Sequence, residues 1–188
     1  ASFHMVNAQT LPKGKIPKTT LPNGWKLSPA WKMFSLGELP LNLVISPDGK
    51  LAAITNNGQS DQSIQLFNIG AQRVVDSVAV GKAWLGLAFS GDGKVLYASG
   101  GNDNLILRYD VRKNKLFLRD SIILGKPWPV KISVGGLALD DRSNRLYAVT
   151  REDNSLYVVD TQSKSVLSKH PLGGEGFTCL LSPDQSTL

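Results

Sequence analysis

Short apolar runs separated by polar turns recur along this chain of 188 residues. In the clearest repeat, apolar residues 85–89 and 95–98 flank a Gly- and Asp-containing turn, and residues 105–109 and 116–124 follow after further polar turns. Apolar and β-branched residues alternate within these runs, which predicts β-strands. No window keeps the i, i+3, i+4, i+7 spacing of an amphipathic helix, and 18 Gly and 10 Pro interrupt every candidate. The pattern therefore predicts an all-β protein.

The turns themselves repeat at a regular interval. Four turns of similar composition begin at Ser46, Ser90, Asp140 and Ser182, at spacings of 44, 50 and 42 residues. Such a period is typical of repeat architectures, and four antiparallel strands per repeat are typical of a β-propeller blade. We therefore predict an incomplete β-propeller with about three four-stranded blades and the start of a fourth.

The repeat also predicts the boundaries of each unit. Blade 1 is expected at residues 38–81, blade 2 at 82–125, blade 3 at 126–173 and the truncated start of blade 4 at 174–188. Residues 23–37 are expected to supply one outer strand, at 31–36, or two, with the second at 25–27, that close the last blade of a longer parent protein. Three complete blades do not close a ring, so we expect the C-terminal remainder of the parent propeller to be a partner of this chain.

The basic charge of the chain is concentrated near its start. The formal net charge is +6, but five lysines and no acidic residue fall within residues 1–32. A segment rich in Pro, Lys and Thr is typical of a flexible leader, which we expect over residues 1–22. This segment has no aromatic residues placed for base stacking and no amphipathic helix, so we expect no nucleic-acid partner. No stretch is long enough to predict a membrane span.

No set of residues predicts catalysis. The turn aspartates recur with the repeat, as turn geometry requires. His4 and His170 lack the spacing partners of a metal site, and His170 is expected on the surface. Cys179 has no nearby histidine and falls at a position where a small apolar core residue is expected. We predict no catalytic residue, no metal and no cofactor.

The connections between blades carry the candidate binding residues. Lys82 and Trp84 lie in one connection, and Lys126 and Trp128 lie in the next, which contains a six-residue insertion. Arg151 follows a second strand and is expected on the same face. Together these five residues predict a cationic, aromatic rim for a small anionic or planar ligand. The alternative is that each Trp packs between blades while each Lys stays in solvent.

Several segments carry a family resemblance. They are residues 21–25, 36–42, 53–56, 81–89, 97–104, 125–129 and 147–150. These segments resemble YVTN-type β-propeller repeats of exported bacterial proteins, whereas the Gly-His and Trp-Asp dipeptides of WD40 blades are absent. The resemblance implies a seven-bladed parent in the periplasm or outside the cell, often fused to a phosphoesterase domain of the alkaline-phosphatase superfamily.

Three functions are compatible with this sequence. The first is a non-catalytic module for binding or scaffolding, which supports a phosphoesterase domain that this chain does not contain. The second is the propeller part of a phosphoesterase that contributes to substrate binding. The third is a propeller enzyme of lactonase type, which requires acidic residues on the inner strands, where residues 43–45 and 85–89 offer none.

Overall fold

The chain folds into short antiparallel strands. The computed structural model describes residues 19–27, 32–127 and 129–188, which fall into two compact units divided after Ser35. In the first unit, β1 (Thr19–Thr20) pairs with β2 (Lys26–Leu27). In the second unit, twelve strands form three four-stranded sheets. Sheet 1 contains β3 (Pro40–Ile45), β4 (Leu51–Asn56), β5 (Ser63–Asn68) and β6 (Arg73–Ala79). Sheet 2 contains β7 (Leu87–Phe89), β8 (Val95–Ser99), β9 (Leu105–Arg112) and β10 (Lys115–Ile123). Sheet 3 contains β11 (Val134–Asp140), β12 (Arg145–Thr150), β13 (Ser155–Asp160) and β14 (Ser165–Pro171).

Each sheet is a meander whose spatial order follows the chain. The first strands of successive sheets contact one another, β3 with β7 and β7 with β11. Gly101–Asp103 forms a 3₁₀ turn, and otherwise the regular structure of the described residues is β-strand. The predicted all-β class and the predicted four-stranded repeat are confirmed.

Two apolar layers hold the three sheets together. The layer between sheets 1 and 2 includes Ile64, Leu66 and Leu96. The layer between sheets 2 and 3 includes Tyr97 and Leu146. Because successive side chains of a strand point to opposite faces, β8 sends Leu96 into one layer and Tyr97 into the other. Sheet 2 is therefore buried on both faces.

A shared hydrogen-bond pattern closes the repeated turns, at what we call the turn end of the sheets. In three turns the leading serine hydroxyl donates to an aspartate two residues later, at 2.7, 2.7 and 2.6 Å. The same hydroxyl accepts a backbone N–H from the residue five positions later, at 2.9, 2.9 and 3.0 Å. In the third turn, Asp140 replaces the serine and accepts the backbone N–H of Arg142 at 3.0 Å. The turn that departs from the motif in sequence is therefore still a turn.

Neighbouring turns are linked across the sheets. The backbone N–H of Gly91 donates to the Asp141 carboxylate, and Arg142 Nη1 donates to the Asp184 carbonyl oxygen at 3.0 Å. The first of these bonds explains why Gly91 stands where the first and fourth turns have proline. Proline has no N–H to donate, and a Cβ at position 91 would lie 2.8 Å from Asp141 Oδ2.

The two predicted outer strands differ in outcome. Residues 32–36 form no strand, but an outer strand needs the third strand of its own blade as a partner and the described residues supply none, so the strand at residues 31–36 stays a prediction. Residues 25–27 contribute instead to the β1–β2 hairpin, which also includes residues 19–22 of the predicted leader. Residues 1–18 lie outside the described residues.

The fourth repeat contains its turn but no ladder. Residues 175–182 run alongside β11, where the Phe177 carbonyl oxygen accepts the Gly136 N–H at 3.0 Å. The Cys179 sulfur lies 3.9 Å from the carbonyl oxygen of Gly136. A further strand of the same repeat would be needed to pair with this segment.

The described residues include no helix with the length and apolar character needed to cross a membrane.

Candidate functional site

A pocket of about 310 Å³ opens at the end of the sheets opposite the turn end, which we call the loop end. The loops after β4, β8 and β12 meet here with the connections from β6 to β7 and from β10 to β11. The lining residues come from all three sheets: Asn57, Gln62, Lys82, Ala83, Trp84, Gly101, Asn102, Ser133, Arg151 and Glu152. The volume is at the lower end of the range for small-molecule sites.

The structure brings together three of the five predicted rim residues. Lys82, Trp84 and Arg151 line the pocket. Lys126 lies in the other predicted connection, but its side chain is exposed and does not line the pocket. Trp128 lies outside the described residues.

The wall formed by residues 82–84 is fixed by side chains of sheet 1. Asn57 donates its amide N–H to the Ala83 carbonyl oxygen, and Gln62 Nε2 donates to Asn57 Oδ1 at 3.3 Å. Gly101 allows this wall to pass close to the loop after β8, because a Cβ there would lie 2.9 Å from the Lys82 carbonyl oxygen. Gly101 also has a φ of 52°, a left-handed conformation that glycine adopts readily.

The connection from β10 to β11 is fixed by one fully buried amide. Asn104 Nδ2 donates to the carbonyl oxygens of Lys126, at 2.8 Å, and Val130, at 2.5 Å. Asn104 Oδ1 accepts the backbone N–H groups of Ile132 and Ser133, both at 3.1 Å. A single side chain therefore binds four backbone groups, of which the N–H groups of Ile132 and Ser133 are buried and would otherwise lack partners. Asn104 also occupies the left-handed region, with a φ of 58°, which Asn tolerates.

Ser133 joins the loops of sheets 2 and 3 at the pocket. Its hydroxyl donates to Asn102 Oδ1 at 2.6 Å, and its carbonyl oxygen accepts the Arg151 N–H at 3.0 Å. The Glu152 N–H donates to the Ile132 carbonyl oxygen at 3.2 Å. The backbone at Arg151 and Glu152 is thus held against the connection from β10 to β11, which places both side chains at the pocket.

Two cations and one acid give the pocket its charge. Lys82 is exposed and forms no ion pair with any other described residue. Arg151 Nε lies 3.5 Å from Glu175 Oε2, and its guanidinium lies 5.9 Å from the centre of the Phe177 ring. Glu152 adds a carboxylate to the same lining. Arg151 is therefore partly balanced by carboxylates, whereas the Lys82 charge is left for solvent or a ligand.

An ionic network supports the loop that carries Arg151. Asp153 accepts hydrogen bonds from Tyr157 Oη at 2.7 Å and from the Thr150 hydroxyl at 2.5 Å, and its carboxylate lies 2.8 Å from Lys169 Nζ. Burial raises the pKa of Asp153, but the bonds from Lys169, Thr150 and Tyr157 outweigh burial, so that this pKa lies below its usual value. Asp153 is therefore an ionised anchor between β12, β13 and β14.

Comparison with known proteins found no matching family model and no matching curated protein. Solved structures do match. Hydrazine synthase from Kuenenia stuttgartiensis matches with a TM-score of 0.66 and 18% identity over 85% of this chain and 43% of that chain. The WD40 repeats of RRP9 match with a TM-score of 0.62 and 19% identity over 78% of this chain and 44% of that chain. A functionally unknown protein from Desulfotomaculum acetoxidans DSM 771 matches with a TM-score of 0.64 and 18% identity over 89% of this chain and 52% of that chain.

WD40 repeats form β-propellers. This chain has a propeller-type fold. Identities this low show the fold alone, and the chain spans about half the length of the structures that it matches. In a propeller, the connections between blades converge at one end of the sheets, and two such connections line this pocket.

The two residues considered for chemistry outside the pocket have ordinary structural surroundings. Burial raises the pKa of the Cys179 thiol to about 11, so this thiol is protonated at neutral pH and is a poor nucleophile. His170 is exposed, and its Nε2 lies 2.9 Å from the Ser168 hydroxyl. Among the described residues, no group of three or more His, Cys, Asp or Glu side chains is placed to hold a metal ion.

Sequence reasoning missed the residues that shape the pocket. Ser133 and Asn57 were not singled out, because their roles arise from hydrogen bonds to another repeat, to the Asn102 side chain and to the Ala83 carbonyl oxygen. One signal was available for Asn104. An asparagine immediately precedes the third strand in two repeats, as Asn104 and Asn154, and both have positive φ.

Proposed function

We propose that this chain is a non-catalytic binding and scaffolding part of a β-propeller, and that its loop-end pocket holds a small polar ligand. The observation that carries this proposal is the convergence of loops from all three sheets on one pocket lined by Lys82, Trp84 and Arg151. Ligand sites in propellers usually lie where the connections between blades meet. The hydrogen bonds of Asn57 and Asn104 hold this pocket in shape without a ligand.

A scaffolding role is supported by a comparison between equivalent positions of the repeats. The leucine three residues before the leading turn residue is buried in sheets 2 and 3, where Leu87 is 3% and Leu137 is 6% exposed. Both face the preceding sheet. The equivalent Leu43 in sheet 1 is 51% exposed, and Ile45 is 58% exposed. We infer that a further blade of the whole protein covers this face of sheet 1 and closes the propeller.

For the whole protein we propose an exported bacterial propeller protein of the YVTN type, located in the periplasm or outside the cell, in which this module supports a phosphoesterase domain. The support is the resemblance of the repeat segments, including residues 97–104 and 125–129. The test is to follow the reading frame beyond Leu188 and to assay the longer protein with a chromogenic phosphate ester. Hydrolysis by the longer protein but not by this chain is the expected result, and a frame that lacks a phosphoesterase domain contradicts it.

The binding role is tested by screening a water-soluble fragment collection by ligand-observed NMR. We expect fragments that bind the wild-type chain and lose binding in Trp84→Ala. Phe117→Ala is the control, because Phe117 is an aromatic residue of β10 that is 43% exposed and does not line the pocket. Lys126 belongs to the rim that the sequence predicted but does not line the observed pocket, so Lys126→Gln should leave binding unchanged. An equal number of bound fragments for wild type and Trp84→Ala would contradict the binding role.

A further inference from the structure

We infer that the loop-end pocket takes a hydroxylated carboxylic acid that carries a single negative charge, of the size of one sugar-acid unit. This inference rests on the proposed binding function and names the class of ligand for the same pocket. Three properties of the lining carry it: its net charge, its uncharged polar groups and its aromatic wall.

The charge of the lining favours a monoanion. Lys82 and Arg151 are the cationic groups, and Glu152 is a carboxylate on the same surface. Glu175 also lies 3.5 Å from Arg151 Nε, so the guanidinium charge is already partly balanced. The lining itself therefore carries a net charge of +1, which one ligand carboxylate neutralises, whereas a dianion such as a phosphate monoester would leave an excess negative charge beside Glu152.

Arg151 keeps most of its hydrogen-bonding capacity for a ligand. A guanidinium has five N–H donors, and the contact with Glu175 engages the Nε side at a long distance. Its side chain is 43% exposed. The remaining N–H groups can bind a ligand carboxylate in the two-point geometry that arginine favours.

The uncharged polar groups favour hydroxyls on the ligand. Asn57 and Ser133 already donate to Ala83 and Asn102, so the groups left for a ligand are the Asn102 amide N–H groups, the acceptor lone pairs of the Ser133 hydroxyl and the strong acceptor atoms of Glu152. An acceptor such as a carboxylate needs an O–H or N–H donor from the ligand, and an apolar acid would leave these groups without partners. Several hydroxyls on a compact ring satisfy donors and acceptors on different sides of one pocket.

Trp84 supplies the third element. Trp84 is half-buried and lines the pocket, and its Cβ would lie 3.6 Å from a Cβ added at Gly101. An indole face is an apolar surface for the C–H groups of a ring that is otherwise polar. The volume of about 310 Å³ limits the ligand to about one such ring.

The test is isothermal titration calorimetry of the 188-residue chain with three matched probes. Glucuronate carries both hydroxyls and a carboxylate, glucose carries only the hydroxyls, and cyclohexanecarboxylate carries only the acid on a six-membered ring. We expect glucuronate to bind roughly tenfold more tightly than either of the others, which is the effect of one charge-assisted hydrogen bond. Binding should also weaken as the salt concentration rises.

Two variants assign the effect to the pocket. Lys82→Gln should reduce the affinity for glucuronate by about fivefold to tenfold and leave the affinity for glucose unchanged. Lys115→Gln is the control, because this substitution removes the same charge from the whole protein. Lys115 is an exposed lysine at the start of β10, near the turn end. An equal effect of the two variants would overturn the inference, because the loss would then reflect net charge alone.

The probes distinguish failure of the ligand class from failure of the binding function. Equal affinity for glucose or for cyclohexanecarboxylate overturns the inference, as does the absence of binding by all three probes. The fragment screen decides the binding function separately. If glucuronate binds as expected, its methyl β-glycoside identifies the source of the ligand: equal affinity indicates a unit of a larger glycan, and lost affinity indicates the free acid.

Discussion

Leu87 and Leu43 occupy equivalent positions in consecutive repeats, and their replacement by alanine should affect this chain very differently. Leu87 is 3% exposed and packs in the layer between sheets 1 and 2. A leucine at such a site typically contributes ~2–5 kcal/mol relative to alanine, because truncation loses buried surface and leaves a cavity. We expect Leu87→Ala to lower the free energy of unfolding by about 3 kcal/mol.

Leu43 is 51% exposed on a face of sheet 1 that neither sheet 2 nor sheet 3 covers. Leu→Ala removes three carbons, each contributing ~0.8 kcal/mol when fully buried. With half of that surface already in water and no closed cavity to form, we expect Leu43→Ala to cost about 1 kcal/mol. The difference between the two variants should therefore be about 2 kcal/mol.

Urea unfolding followed by far-UV circular dichroism measures both costs, provided that the slopes of the transitions agree. Equal losses in this chain would refute the reasoning, because the face of sheet 1 would then already be covered. The same pair in a longer protein tests closure of the propeller. There the cost of Leu43→Ala should rise to that of Leu87→Ala, and a cost that stays at about 1 kcal/mol would show that no further blade covers Leu43.

Three further predictions concern the turn end and the loop end. Gly91→Pro should destabilise the chain by ~1–3 kcal/mol, although two other turns have proline there, because the N–H donated to Asp141 is lost; a neutral result in urea unfolding would contradict that bond. Asn104→Ala should cost at least ~3 kcal/mol, since four backbone groups lose their partner, whereas Asn102→Ala, at an exposed residue of the same loop, should cost less than ~1 kcal/mol. The Ser46 hydroxyl and the backbone N–H of Lys50 lower the pKa of Asp48 in the folded chain. The ionised Asp48 therefore stabilises the fold above the unfolded pKa of about 4, and this stabilisation is lost as the pH falls through the folded pKa. The urea midpoint should therefore be steady from about pH 7 to 5 and fall below about pH 4, less steeply for Asp48→Asn; equal slopes for both proteins would show that Asp48 is not linked to folding.

Most strands could be predicted because each repeat alternates apolar and polar positions between well-marked turns. The first residue of β7 could not be predicted, because it depends on a contact with the preceding repeat. Residues 85 and 86 continue the apolar pattern, but the Leu85 carbonyl oxygen accepts a hydrogen bond from Asn42 Nδ2 at 2.6 Å instead of joining the β7–β8 ladder. The outer strand at residues 31–36 stays a prediction for a related reason, because strand propensity does not supply a pairing partner and the described residues contain none.

The candidate site could be predicted only in part. Lys82 and Trp84 stood out because a Lys-x-Trp sequence recurs in the next connection, and Arg151 stood out because its loop was expected on the same face. Lys126 does not line the pocket, because the inserted residues form a longer connection whose backbone is held at Lys126 and Val130 by Asn104. A repeat pattern indicates equivalent positions, but an insertion changes which of them face a common cavity.

The central claim is that the loop-end pocket is the ligand site of this propeller module. Titration of the isotopically labelled chain with glucuronate, followed by two-dimensional ¹H–¹⁵N NMR, tests it most directly. We predict shifts of the Trp84 indole N–H and of the backbone amides of Lys82, Gly101 and Arg151, while the backbone amides of Gly49 and Gly93 at the turn end stay unchanged. Shifts confined to residues outside the pocket, or equal shifts at both ends of the sheets, would contradict the account.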